Sequence, residues 1–350
     1  MATLTETAHF SRKFIKFSLL GVALLVILRV SLGMAVDFYK ALNPPPTPAP
    51  TVGFGLLPAI NFPKNEEVLP QLTYKLEAVG GLPTLPNVGK VYFMPQRRAD
   101  LLAPERADAL AKKLEFSAPH TAVTPSFYSW QSTGFPKRTL QMDIATMNFK
   151  LEYDYENDQK LLAEKDLPSA EAAKKEVISY LESLGILPGD FKAGEVGFRP
   201  LKFVAPNFVA ALSVSEADFV RLILFREKLD ELSILPPNPL QGLVSFLISG
   251  ASSKERRFVQ INFTYNPIDR QRFETYPLKA VSSAWEELKA GGGYVAALGE
   301  NTDGKIEITK VYLGYFEAET SQNFLQPIFV FEGRDNFWGF VSAVAKEWVK

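Results

Sequence analysis

Cysteine is absent from the 350-residue chain, which excludes disulfides, thiolate metal sites and cysteine nucleophiles. Histidine is nearly absent: His9 and His120 are the two present, too few for histidine-rich zinc sites or most triad chemistry. A basic excess is missing as well. The formal net charge is −1, so nothing is left over to neutralise a row of phosphates, and nucleic acid is not expected as a partner. What remains is ordinary globular composition, 47% hydrophobic, 22% charged and 12% aromatic, which argues against wholesale disorder or a fibre. The length suggests about two domains, each able to bury a core.

Residues 17–36 read FSLLGVALLVILRVSLGMAV, apolar nearly throughout and interrupted by Arg29. That is about the length a helix needs to cross a bilayer's hydrocarbon core. Arg12, Lys13 and Lys16 precede the segment, while Asp37 and Lys40 follow it. The imbalance predicts a single-pass cell-membrane protein with residues 1–16 cytoplasmic and the bulk of the chain extracytoplasmic. The lipid bilayer is then a partner through residues 17–36. Arg29 costs about 2.5–3.5 kcal/mol at mid-membrane, which the neighbouring Leu, Val and Ile offset. Two readings stand for it: snorkelling toward the nearer interface, or polar contact with a partner's helix. A further reading takes 17–28 as a signal-peptide core cleaved after Ala35, at the small residues Gly33-Met34-Ala35.

Asn43-Pro44-Pro45-Pro46-Thr47-Pro48-Ala49-Pro50 holds five prolines in eight residues. This is a semi-rigid polyproline spacer of about 3.1 Å per residue, and residues 37–58 read as a tether. Residues 1–40 carry five Lys/Arg and two Asp/Glu, which leaves the remainder at −4. The exterior part is therefore mildly acidic and is not drawn to anionic lipid by charge.

Three amphipathic helices are expected. Over 104–116, Ala107, Leu110, Ala111 and Leu114 share one face. Over 169–184, Ala173, Val177, Tyr180, Leu181 and Leu184 do, with Ser169 as N-cap and Gly185 as stop. A shorter helix carries Val281, Ala284, Trp285 and Leu288, with Ser283 and Glu286 fitting a capping box and Gly291-Gly292-Gly293 ending it. Elsewhere the period is two. Val259, Ile261, Phe263 and Tyr265 alternate with polar residues, as do Leu140, Met142 and Ile144. From Met147 the apolar set moves to odd positions through Phe149, Leu151, Tyr153 and Tyr155, which demands a turn over 145–148. Further strands are expected at 219–225, 243–249, 294–298, 305–316 and 326–331, with Asn301-Thr302-Asp303-Gly304 as a hairpin turn. Helix followed by antiparallel strands thus occurs at 104–155 and 168–265, and in reduced form at 281–332. The fold class is α+β: a transmembrane helix, then two or three helix-plus-antiparallel-sheet units. The expected domains are 59–166 and 167–350.

With a basic single-helix N-terminus leading into repeated helix-plus-meander units, the chain resembles the YycH/YycI group of membrane-anchored regulators and, more loosely, PepSY-like domains. The local echoes are Met142-Asp143-Ile144-Ala145-Thr146-Met147-Asn148-Phe149, Lys310-Val311-Tyr312-Leu313-Gly314-Tyr315 and Leu325-Gln326-Pro327-Ile328. In the first, Met147 stands where such domains have the glycine of a Thr-Gly turn. The resemblance implies an extracytoplasmic, non-catalytic module that tunes a membrane partner such as a sensor kinase. It also implies that contacts can include the transmembrane helix, and hence Arg29.

The search for chemistry leaves little. Asp154, Glu156 and Asp158 are spaced like the opening of a calcium loop, but Gln159 and Lys165 stand where that loop wants Gly and Glu, so a solvated strand edge is expected. Glu300, Asn301 and Asp303 are better explained by the turn at Asp303-Gly304. His120 has no nucleophile elbow to serve. Phe127, Tyr128 and Trp130 are expected in packing. Gly291-Gly292-Gly293 follows a helix instead of opening one, which excludes a phosphate loop. No cofactor and no metal are expected. The functional expectation is a non-enzymatic binding or regulatory module of a bacterial-type cell envelope. A carboxylate-dependent glycan hydrolase is the alternative, requiring a deep cleft with two convergent acids, and a structural spacer or adhesin is the other.

Overall fold

The computed structural model describes residues 4–42, 49–64, 69–158 and 160–350, so the proline run at 43–48 lies outside the described residues. The chain divides into two compact units, Met1–Ala49 and Pro50–Lys350. The first is one helix, α1 (Leu4–Leu42). Its described apolar side chains stand outward, Leu24 at 66%, Ile27 at 63% and Leu28 at 61% exposure. Among the described residues no helix is long and apolar enough to cross a membrane. The passage read at residues 17–36 therefore rests on the sequence alone.

The second unit is α+β. Its helices are α2 (Ala103–Lys113), α3 (Ala170–Leu184), α4 (Gly189–Lys192), α5 (Lys254–Arg257) and α6 (Val281–Lys289). The strands run β1 (Thr73–Leu76), β2 (Val88–Phe93), β3 (Thr121–Thr124), β4 (Phe127–Gln131), β5 (Arg138–Asp143), β6 (Asn148–Tyr153), β7 (Val196–Val204), β8 (Asn207–Ala210) and β9 (Phe219–Leu224). There follow β10 (Ile234–Leu235), β11 (Val244–Ile248), β12 (Phe258–Phe263), β13 (Asp269–Pro277), β14 (Tyr294–Ala297), β15 (Lys305–Phe316), β16 (Phe324–Gly333) and β17 (Trp338–Ser342).

Nine strands form an antiparallel sheet in the order β3-β4-β5-β6-β12-β11-β9-β7-β8. It is built from two helix-plus-meander repeats, α2 with β3–β6 and α3 with β7, β8, β9, β11 and β12. They join where β6 meets β12, at Leu151↔Ile261. The period-two residues explain the join. Leu140, Met142, Phe149 and Leu151 of the first repeat share one core with Leu222, Phe246 and Ile261 of the second, under Leu110 of α2 and Leu181 of α3. This one sheet and its core run across the expected boundary between 166 and 167. Locally the sequence signals hold. Ser169 accepts the Ala172 N–H, and Gly185 stops α3 at φ 75°. The turn over 145–148 is present, and Met147 adopts φ 63° there, the left-handed conformation a glycine takes without steric cost.

The second sheet has eight strands, with the path β1-β15-β16-β17-β14, β10 beside β15, and β2 linking β13 to β16. Ala284, Trp285 and Leu288 of α6 cover it against Phe329, Phe331 and Phe337. Two expectations fail here. The N-cap of α6 is Ala280, with no side-chain cap, so Ser283 and Glu286 lie inside the helix and make no capping box. The turn at 301–304 closes no hairpin, because β14 pairs with β17 rather than β15.

Candidate functional site

A cavity of about 850 Å³ opens where the second sheet meets the segment that follows β9. Its lining is mostly apolar, with Val88, Leu232, Ile234, Leu235, Leu313 and Trp338 among the walls. The feature that makes it a site is an interrupted sheet edge. β1 pairs in parallel with β15 from Thr73↔Lys305 to Leu76↔Ile308. β10 pairs in parallel with the same side of β15 at Tyr315 and Phe316. β16 occupies the other side over the whole stretch between. Among the described residues, therefore, no strand faces residues 309–314 of β15 on the cavity side. The N–H groups of Tyr315 and Glu317 donate to Ser233 and Leu235 at 2.9 Å each, so by two-residue alternation the backbone groups of Val311 and Leu313 point to the same edge. From Ile308 to Tyr315 the span is roughly 23 Å at about 3.3 Å per residue.

The rim is charged and internally matched. Lys90 donates to Asp230 at 3.0 Å, and the Tyr92 hydroxyl donates to the same carboxylate. Lys310 meets Glu332 at 2.9 Å, and Lys228 meets Glu195 at 3.3 Å. Burial and the carboxylate of Glu332 push the Tyr312 hydroxyl up; burial and Asp230 do the same to Tyr92. These hydroxyls are fixed as donors, not poised as acids. Asp230 and Glu231 form the centre of a two-residue hairpin in which Leu229 and Leu232 exchange N–H···O bonds of 2.9 and 3.0 Å. Both central residues are left-handed, at φ 51° and 62°. That conformation favours Asn-Gly, so Asp-Glu stores backbone strain on the cavity rim.

The acid–base alternative asks for a carboxyl with a raised pKa converging on a second acid. Burial does push the Glu317 carboxyl up, with Arg226 opposing it. However, Glu317 is 2% exposed and pinned to Arg226 at 2.9 Å, outside the residues that line the cavity.

The residues singled out from the sequence fall elsewhere. Arg29 lies on the exposed surface of α1. Asp154 accepts from Asn157, but Asp158 corrects the expectation of a solvated edge. It is 9% exposed and accepts from Tyr153 and Arg256, each at 2.7 Å. Among the described residues no cluster of acids and histidines could hold a metal. Asn301 is buried and spends its amide on the Leu298 and Arg334 carbonyls. His120 does gain a partner, Asp108 at 2.9 Å. The imidazole stacks on Tyr128 at 4.2 Å, and Trp130 Nε1 donates to the same Asp108, so these aromatics serve packing. Sequence reasoning missed the hairpin at Asp230-Glu231, since Leu229-Asp230-Glu231-Leu232 carries none of the Gly, Asn or Pro by which turns are recognised.

No protein-family model and no curated protein matches this chain. Among solved structures it is similar to an uncharacterized protein from Eubacterium rectale, at 12% identity over 73% of this chain and 82% of that one, with a TM-score of 0.35. It is also similar to the C-terminal domain of YpeB from Bacillus megaterium, at 9% identity over 72% of this chain and 95% of that one, with a TM-score of 0.32.

Proposed function

We propose that this chain is a membrane-anchored, extracytoplasmic binding module that receives an extended segment of a partner protein in the cavity beside β15. The observation that carries this reading is the unpaired edge at residues 309–314, held open between two parallel strands. An incoming strand would complete the ladder through main-chain hydrogen bonds, and the apolar walls would take alternate side chains. The matched ion pairs of the rim support binding over acid–base cleavage, because Asp230, Glu195 and Glu332 each already have a lysine. Residues 17–36 would hold the module at the outer face of the membrane. The tether would keep its effective concentration high for a neighbouring membrane protein, a sensor kinase being one such partner. Arg29 would meet that partner's helix.

The test places a photo-crosslinking amino acid at Leu232 in the intact protein in cells. A discrete adduct with one membrane protein, its attachment mapped to an extended segment, is the expected result. Adducts with lipid alone, or none, would defeat the reading.

A further inference from the structure

The face of the nine-stranded sheet turned away from α2 and α3 is polar where β5, β6, β12 and β11 cross it. One row of cross-strand neighbours runs Thr139, Glu152, Gln260, and the next runs Gln141, Lys150, Asn262, Ser245. Two cavities lie along these rows, of about 530 and 690 Å³. They share Gln241, Gln260 and Asn262 as walls, so they adjoin as one groove. Strand β6 gives Glu152 to the first cavity and Asn148 to the second. The two residues are roughly 13 Å apart along the strand, more than the width of one sugar ring. Asparagine is disfavoured in strands, yet Asn148 and Asn262 both stand in this face. Gln141 and Gln260 are half-buried, and among the described residues neither side chain makes a hydrogen bond. The Asn262 amide reaches the Ser245 hydroxyl at 3.4 Å, a long contact. Each amide carries two donors and an acceptor oxygen, so this face keeps hydrogen-bonding capacity of both kinds unspent.

Charge complementarity narrows the occupant. Lys137 and Arg221 stand with Glu152, Asp154 and Glu156 in the first cavity, and Lys150 stands with Asp143 and Glu319 in the second. A polyanion would be set against the carboxylates, and a polycation against Arg221 and the lysines. A neutral ligand rich in hydroxyls meets neither penalty, because each hydroxyl donates to a carboxylate or accepts from an amide or a cation. Half-buried rings line both cavities as well. Tyr155 and Phe208, with centroids 5.6 Å apart, belong to the first, and Phe127 belongs to the second. Such rings offer an apolar surface to the C–H face of a sugar. We propose that this groove binds a linear, neutral oligosaccharide, hydrogen-bonded to Gln141, Gln260 and Asn262 and resting on Phe127 and Phe208. The groove is on a different sheet from the β15 edge and does not rest on it.

The experiment holds the full chain in a polyoxyethylene detergent, whose headgroup is not a sugar, and titrates it calorimetrically with chitotetraose, cellotetraose and maltotetraose. Tetralysine and tetraglutamate are the charged controls. Saturable binding of at least one tetraose, and of neither peptide, is the expected result. Gln260→Ala and Asn262→Ala should each weaken that binding about fivefold or more. Gln131→Ala, on the same face but outside both cavities, should leave it unchanged, and circular dichroism verifies that each variant is folded. Binding of no tetraose, binding of a charged peptide in its place, or alanine variants at Gln260 and Asn262 that bind as the wild type does would each overturn the proposal.

Discussion

At the scale of single residues, the Asp230-Glu231 hairpin is where local and global preferences disagree. Glu231 is exposed and sits at φ 62°, a conformation costing an L-residue about 1–2 kcal/mol. Glu231→Gly should therefore raise the stability to urea by about 0.5–1 kcal/mol, part of the relief being lost to the freer unfolded chain. An unchanged or lowered midpoint would mean that the hairpin is not strained. Asp158 makes the opposite case. Burial works to raise its carboxyl, but hydrogen bonds from Arg256 and Tyr153 together hold it below the ordinary 3.8. A carboxyl depressed in the folded state stabilises above its unfolded value, and that contribution disappears as pH falls through the folded one. Asp158→Asn should cost about 1–3 kcal/mol at pH 7. The gap to wild type should close as urea titrations are carried below pH 3.8. A gap independent of pH would assign the loss to packing instead.

At the scale of elements, one buried cluster ties the two sheets. Arg226, just past β9 of the first sheet, reaches Glu317, just past β15 of the second, at 2.9 Å, and Asp190 of α4 at 2.7 Å. It also donates to the Asn266 carbonyl at 2.9 Å and lies over the Tyr265 ring at 4.8 Å. Arg226→Met would strand two buried acids, so a loss of about 3–5 kcal/mol is expected. Replacing Glu317 by Gln as well should restore part of it. Because the cluster spans the sheets, the single variant should also separate the unfolding of Trp130, in β4, from the far-ultraviolet signal of the whole. Coincident transitions with an unmoved midpoint would assign the coupling to other contacts. The elements themselves were largely legible: α2, α3 and β12 follow from apolar period and caps, and β9 and β11, buried on both faces, from their continuous apolar runs. Strands such as β13, with its run of charge at Asp269-Arg270-Gln271-Arg272, were not. Their place is set by pairing with distant β2, which leaves no local pattern. The candidate site was illegible for the same reason. Its open edge exists because β1 and β10, some 160 residues apart in sequence, stop short of each other on β15.

At the scale of the whole molecule, the same run of residues is asked to do two things. Under the proposed anchoring, residues 17–36 would have to lodge in lipid and to tolerate Arg29 within them. Every described apolar side chain of this stretch of α1 is exposed. A guanidinium that merely snorkels would be replaceable by leucine without consequence, since the change removes a cost of about 2.5–3.5 kcal/mol. A guanidinium bonded to a partner's helix would not. Arg29→Leu should therefore leave membrane insertion and the exterior fold intact while lowering recovery of the partner crosslinked at Leu232. In intact cells, protease added from outside should digest the exterior unit equally in both forms. If partner recovery is the same with leucine, Arg29 only snorkels; if the protease cannot reach the exterior unit, the orientation itself is wrong.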